Sequence, residues 1–450
     1  MVEQQNFHHA LTIREEVCYG CTHCIKVCPT EALRVKGGKA KLIANKCIDC
    51  GNCMNVCPVN AIIVEQDDFS NIFKYKARVA LVPSVLIGQF PRDFRPRKIY
   101  SGILEQGFTH VYEAEHGAGI LIEEINKYVE QNPDIRPVIS SFCPSIVRLI
   151  QVRFPSLTEH IMQLKAPLDL AAISFKEELK ERGYAEEEIG IFYVTPCAAK
   201  IAAVKSPVGE PHSPIDGVIN LDLLFNKVYG SFKKETNATC IVPEKEQLHE
   251  DEIAWGLTGG ESKHIHGRCI AIDGIQNVID FLEQIENGSV NNFDFIELRA
   301  CDESCAGGIL TPSNRFLTSE RLNDRILKYK SNQIEGKLRF NKTIYKHYDY
   351  LRSRVFIDRI EPRSTLKLDE DMDAAMHKME KIARINKYLP GIDCGACGSP
   401  SCKTLAEDIA QGEAHTANCI FMQSELNTLP GKENRAERIW GKGRFKNIIG

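Results

Sequence analysis

The sequence predicts an α/β protein that carries a small cysteine-rich module towards each end. Three observations predict it. Residues 75–320 alternate strand-like and helix-like apolar runs, as a parallel sheet with crossover helices requires. Residues 18–57 hold eight cysteines in two identical spacings, and residues 394–419 hold four more. The chain has 450 residues, 43% hydrophobic and 26% charged, with a formal net charge of −4. That length suffices for about three domains of roughly 150 residues each. So much apolar surface excludes disorder over most of the chain, and the slightly acidic balance argues against a nucleic-acid partner. No apolar stretch nears the roughly 18–20 residues that span a bilayer. The N-terminal MVEQQNFHHA shows neither a secretory nor a lipidation pattern, so the expected location is the cytoplasm.

Eighteen cysteines in a chain of this type point to metal rather than to disulfides. Sixteen fall into four quartets, and Cys240 and Cys269 are left over. Residues 18–29, CYGCTHCIKVCP, and 47–58, CIDCGNCMNVCP, are both C-x2-C-x2-C-x3-C-P. This is the two-cluster bacterial ferredoxin spacing, in which the fourth cysteine of each run crosses to the other cluster. Cys18, Cys21, Cys24 and Cys57 are therefore expected to hold one [4Fe-4S] cluster, and Cys47, Cys50, Cys53 and Cys28 the other. Each motif is followed by a short strand-like run, ALRV and AIIV. A pair of zinc sites is the competing reading, but zinc takes two C-x2-C knuckles per ion.

In the middle region, RVALVPSVLI (78–87) reads as a buried strand, and residues 120–130 and 174–182 read as helix. Three stretches share one plan. RPVISSFCPSIVRLI, GIFYVTPCAAKIAAVK and FDFIELRACDESCAGG each run from an apolar strand into cysteine, then into a helix or glycines. Cys143, Cys197, Cys301 and Cys305 thus sit just past carboxyl ends of strands, where open α/β sheets build their sites. Singly, each would be a small buried hydrophobe. Together they present four thiolates to a third [4Fe-4S] cluster.

These residues resemble the catalytic domain of [FeFe]-hydrogenases over about 75–320. SFCP resembles the first signature, usually TSCCP; TPCAAK the second, usually MPCTxK; RACDESCAGG the third, usually MACPGGCxxGGG. The segment Trp255-Gly-Leu-Thr-Gly-Gly260 resembles the family's GxTGG. The runs CPSIVRLIQVRFPSL and KIAAVKSP look most like the divergent, sensory subgroup. The resemblance implies that Cys143, Cys197, Cys301 and Cys305 hold the cubane of an H-cluster. It implies that Cys305 bridges to the diiron unit, and that Lys200 contacts an iron-bound cyanide.

The departures concern the surroundings of the diiron unit. Phe142 stands where active members have the proton-relaying cysteine, and a phenyl ring moves no proton. Thr195 and Arg299 replace methionines. Asp302, Glu303 and Ser304 replace Pro-Gly-Gly, and Glu261 and Ser262 replace Val-Met. The expectation for Arg299 is that its guanidinium turns to Asp302 or Glu303 and closes the pocket; the alternative is that it swings out to a surface carboxylate.

Towards the C-terminus, Lys and Arg recur through RILKYK and LRSRVFIDR, read as a solvated face. Residues 369–388 read as one amphipathic helix with Met372, Met376, Met379, Ala383 and Asn386 near one face, the methionines in a core. GIDCGACGSPSCKTLAEDIAQGEAHTANC then spaces Cys394, Cys397, Cys402 and Cys419 as C-x2-C-x4-C-x16-C. Gly395 and Gly398 allow a tight wrap, and 402–413 is expected as a short helix. This resembles the four-cysteine [4Fe-4S] domain of the electron-transfer subunits of Rnf complexes and of the corrinoid protein's large subunit; a zinc knuckle is the competing reading. His264 and His266 carry no assignment.

The expected organisation is 8–68, a two-cluster ferredoxin domain; 75–320, a hydrogenase-like α/β domain; 321–388, a helical linker region; 389–425, a small helical Fe-S domain; and 426–450, a basic tail. The resemblance implies an iron-sulfur redox protein of ferredoxin hydrogenase type with four [4Fe-4S] clusters. Two are ferredoxin-type, one is the H-cluster cubane and one is C-terminal. With a diiron unit it would turn hydrogen over slowly or sense it. The alternative is an electron-transfer subunit with cubanes only. A cluster carrier like the hydrogenase-like assembly factors of eukaryotes ranks third, since those lack the full double motif and the C-terminal quartet. The expected partners are a redox protein donor or acceptor and a signalling or enzyme-complex partner.

Overall fold

The computed structural model describes residues 8–232, 248–290, 292–331, 342–363, 368–369 and 371–422. Cys240 and the tail 426–450 lie outside these residues. The chain divides into two compact units. Of the described residues, the larger holds those within 8–11, 48–51 and 64–362, and the smaller those within 12–47, 52–63 and 363–422.

The larger unit is α/β, with two all-parallel sheets. The first is ordered His110–Glu113, Ala77–Val82, Ile189–Thr195, Gly217–Asn220. Its inner strands are buried on both faces, which is why IGIFYVT reads as an apolar run and ARVALV as one broken only by the half-buried Arg78. The second is ordered Cys269–Asp273, Phe295–Arg299, Val138–Ile139. Helices Ala118–Gln131 and Pro167–Glu181 cover the helix-patterned stretches.

The run 78–87 is not one strand. The strand stops at Val82, and Ser84–Gln89 is a helix. Pro83, extended at φ −76° and ψ 150°, cannot donate to a ladder and suits the entry to a helix. Both halves are buried, so hydrophobicity alone does not separate them.

The smaller unit brings distant parts of the chain together. It contains the antiparallel hairpin Leu33–Lys36 and Lys39–Leu42, turned by Gly37 and Gly38, both at positive φ. It also contains helices Met372–Tyr388 and Cys402–Ala410. The methionine face of the first of these helices is not core: Met372, Met376 and Met379 are 78%, 54% and 61% exposed. Ile382 and Ile385 pack with Leu389 and Leu405 instead. At about 100° per residue these isoleucines lie roughly a third of a turn round the helix from the methionines. Among the described residues no helix is long and apolar enough to cross a membrane.

Candidate functional site

In the larger unit, three strand ends deliver four thiols. Cys143 caps helix Pro144–Arg153 after the strand Val138–Ile139. Cys197 caps helix Ala198–Lys205 after Ile189–Thr195. Cys301 follows Phe295–Arg299, and Cys305 lies in the helical turn Ser304–Gly307. The third loop is drawn against the second: the Leu310 N–H donates to the Pro196 carbonyl at 2.9 Å, and a Cβ on Gly308 would stand 2.5 Å from that same oxygen. The GLTGG segment reaches the site as well, since the Cys305 N–H donates to the Gly256 carbonyl at 3.3 Å.

The four thiols feel one another. Burial pushes Cys197 up to about 12, and Cys305 and Cys143 add to the push while Lys200 opposes it. Burial also raises Cys301, helped by Cys197, Cys143, Cys305 and Cys50. Burial raises Cys143 against the opposing Arg299 charge. Four half-buried thiols that would repel one another as thiolates could serve as the donor set of a cationic metal centre, which takes them in that form. Cys50 belongs to the same unit and packs on the core around Ile146 and Ile150.

Lys200 stands beside this set. Its Nζ lies 3.8 Å from Cys305 Sγ and donates to Tyr193 Oη at 3.2 Å. It also lines a cavity of about 100 Å³ with Phe142, Asp169, Lys165 and Arg148. Engineered cavities of about 150 Å³ take a benzene-sized guest. Asp169 is pushed up to about 6 by burial, with Lys165 and Lys200 opposing. Thr195, Cys305 and Arg299 are not among the residues lining this cavity. Thr195 instead donates its hydroxyl to the Cys197 carbonyl at 2.8 Å.

Arg299 takes neither course expected of it. It is 4% exposed, and its guanidinium pairs with Glu261 and lies 3.4 Å from Glu297. Asp302 bonds Arg315 at 2.8 Å, and the Glu303 N–H donates to Asp273 at 2.9 Å. The acidic pair is close along the chain, yet the strand directs residue 299 to the same face as residue 297. Glu297 accepts N–H groups from Gly259, Glu261 and Ser262 at 3.2, 3.1 and 3.0 Å. Glu261 accepts the Ser140 hydroxyl at 2.7 Å. Phe142 is 4% exposed and its ring centroid lies 5.8 Å from that of Trp255.

In the smaller unit, Cys18, Cys21, Cys24 and Cys57 wall a small apolar cavity of about 20 Å³. Cys394, Cys397, Cys402 and Cys419 gather on one apolar core with Leu405 and Phe421. The boundary between units runs through the second ferredoxin motif, so Cys28, Cys47, Cys50 and Cys53 remain grouped by their spacing. No described cysteine is in a disulfide.

The family model for the iron-only hydrogenase large subunit, C-terminal domain, matches residues 76–266 and 233–309, more than half of the chain. The chain belongs to this family. A 4Fe-4S dicluster domain matches residues 10–58, and an Fe-S cluster family matches 389–421. The NADP-reducing hydrogenase subunit HndD of Solidesulfovibrio fructosivorans is 22% identical over 224 residues, 48% of this chain and 34% of that protein. One subunit of the ion-translocating oxidoreductase complex of Rhodobacter capsulatus is 50% identical over 38 residues, 8% of this chain and 20% of that protein. The chain thus spans about a third or less of the curated relatives it matches. A solved [FeFe]-hydrogenase from Chlamydomonas reinhardtii aligns at a TM-score of 0.49 and 16% identity, over 64% of this chain and 96% of that one. The family matches make the protein an iron-sulfur protein related to [FeFe]-hydrogenase.

Within this hydrogenase-family domain some partners went unread in the sequence. Glu297 and Arg299 are two charges two residues apart in an otherwise apolar strand, and Arg148 is a charge inside the apolar helix PSIVRLIQV. Both patterns signal buried ion pairs. Arg148, 1% exposed, binds Asp49 between Cys47 and Cys50.

Proposed function

We propose that the protein is a [4Fe-4S] electron-transfer protein whose central site is of the H-cluster type, with slow hydrogen turnover suited to sensing. The observation that carries the reading is the convergence of Cys143, Cys197, Cys301 and Cys305 beside a half-buried Lys200, next to a cavity that Arg299 leaves open. Cys18, Cys21, Cys24 and Cys57 would hold one further cluster, Cys28, Cys47, Cys50 and Cys53 a second, and Cys394, Cys397, Cys402 and Cys419 a third. When bound, such clusters supply one-electron steps, and a diiron unit supplies 2H⁺ + 2e⁻ ⇌ H₂. Lys200 puts a cation at the cavity wall beside Cys305, where an anionic ligand would be held. Phe142 fills the relay position with a ring, so no side chain at that position hands on a proton. A redox protein that donates or accepts single electrons is the partner this chemistry needs.

Infrared spectroscopy of the chain, matured anaerobically with hydrogenase maturases, tests the reading. Bands from CO and CN⁻ on iron are expected. Their absence from protein with a full set of cubanes would leave an electron-transfer subunit without a diiron site. Iron analysis of the reconstituted, unmatured chain is expected to give about sixteen irons. About eight irons with bound zinc would sink the four-cluster assignment.

A further inference from the structure

The first ferredoxin quartet and the C-terminal quartet lie in one compact unit, although their separation in sequence suggests two domains. Arg34, on the strand Leu33–Lys36, is 3% exposed and donates to both oxygens of Asp408, at 2.7 and 3.2 Å. Asp408 lies on the helix that Cys402 opens, and it also accepts the Ser399 hydroxyl at 3.1 Å. Thr404 donates to Glu31 at 2.6 Å.

Two short links join the quartets themselves. The Val35 N–H donates to the Gly398 carbonyl at 2.8 Å. Val35 helps wall the cavity of Cys18, Cys21, Cys24 and Cys57, and Gly398 follows Cys397. The approach leaves no space: a Cβ on Gly398 would stand 2.0 Å from the Val35 carbonyl oxygen, and Gly398 is at φ +87°. On the other side, a Cβ on Gly395 would meet Ile25 Cδ1 at 3.4 Å. Ile25 adjoins Cys24, and Gly395 lies between Cys394 and Cys397.

We propose that the C-terminal module exchanges electrons directly with the Cys18–Cys21–Cys24–Cys57 centre, and that Arg34 and Asp408 are the positioning residues that hold the two at contact. The proposal rests on the reading that both quartets bind [4Fe-4S] clusters. Electron tunnelling decays steeply with the gap, so one direct hydrogen bond from the strand Leu33–Lys36 to the Cys397 loop and a close approach of Gly395 to Ile25 make a fast step. The step moves one electron. The C-terminal cluster goes from 1+ to 2+ as the ferredoxin cluster goes from 2+ to 1+, and no bond or proton changes. A bidentate buried Arg–carboxylate pair is rigid in direction as well as distance, which suits that task.

The test uses the full chain, reconstituted anaerobically and reduced, with iron analysis and EPR side by side. The wild-type spectrum is expected to be broadened by coupling between the two centres. Cys394→Ser with Cys397→Ser is expected to remove about four irons and the part of the broadening due to this pair. Asp408→Asn is expected to keep all the iron yet weaken the coupling. Glu413→Gln, at the exposed pair with Lys36, is expected to change neither. If wild type minus the double variant is a simple uncoupled signal at full iron content, the direct link is refuted. If the double variant loses no iron, the failure lies instead in the cluster reading beneath it.

Discussion

Arg299→Met, which restores the residue usual in the family, is expected to destabilise the protein by about 3–5 kcal/mol. Removing one partner of a buried ion pair leaves the other charge uncompensated, and that cost exceeds the net worth of the pair. Here the stranded group is Glu261, 0% exposed, with Glu297 at its side. The loss should depend on pH. Burial pushes Glu261 up to about 7; Glu297 adds to this, while Arg299 and Ser140 pull it back. A carboxyl raised in the folded state binds a proton that the unfolded chain has already released. Its contribution to stability is full below the unfolded value and is lost as pH rises through about 7. Without Arg299 the carboxyl rises further, so the variant should fall furthest behind wild type at pH 8 and least at pH 5. Anaerobic thermal unfolding at the two pH values checks this; an equal deficit at both would refute the ion-pair account. Arg299→Met combined with Glu261→Val, the family's usual pair, is expected to regain most of the loss. Glu297 keeps its three N–H donors in that double variant.

Phe142→Cys is expected to raise hydrogen evolution of matured protein by about 10²-fold or more, the usual worth of a positioned acid–base group. The thiol would stand in the wall of the cavity that Lys200 also lines. Behind it the backbone N–H of residue 142 bonds Ser140 Oγ at 3.4 Å, and Ser140 bonds Glu261. The gain is expected only in protein that shows the infrared bands. A wild-type rate equal to that of ordinary [FeFe]-hydrogenases would show instead that residue 142 does not limit turnover.

Much of this was legible because cysteine chemistry is local. Spacings of two and three residues are the ground on which the thiols are grouped, and an apolar run ending in cysteine marks a strand end whatever the tertiary fold. The parallel sheets followed from the same runs. What escaped depends on contacts between segments far apart in the chain. Arg299 lies within four residues of Asp302 and Glu303, yet strand alternation points it at Glu297, and a separate loop carries Glu261 to it. Met372, Met376 and Met379 form a stripe, but the stripe that packs is the one carrying Ile382 and Ile385. Arg34 and Asp408 carry no local sign of each other.

The 374-residue separation of Arg34 and Asp408 has a consequence in time. A ribosome adding roughly 5–20 residues per second brings Asp408 out about 20–75 s after Arg34. Throughout that interval the hydrogenase-family domain is being made, and Arg34 stands without its carboxylate partner. Arrival of the helix Cys402–Ala410 then pairs the guanidinium. A chain stopped shortly after residue 363 would keep Arg34 hydrated rather than paired. The order in which this unit is assembled is in this way tied to translation by a single ion pair.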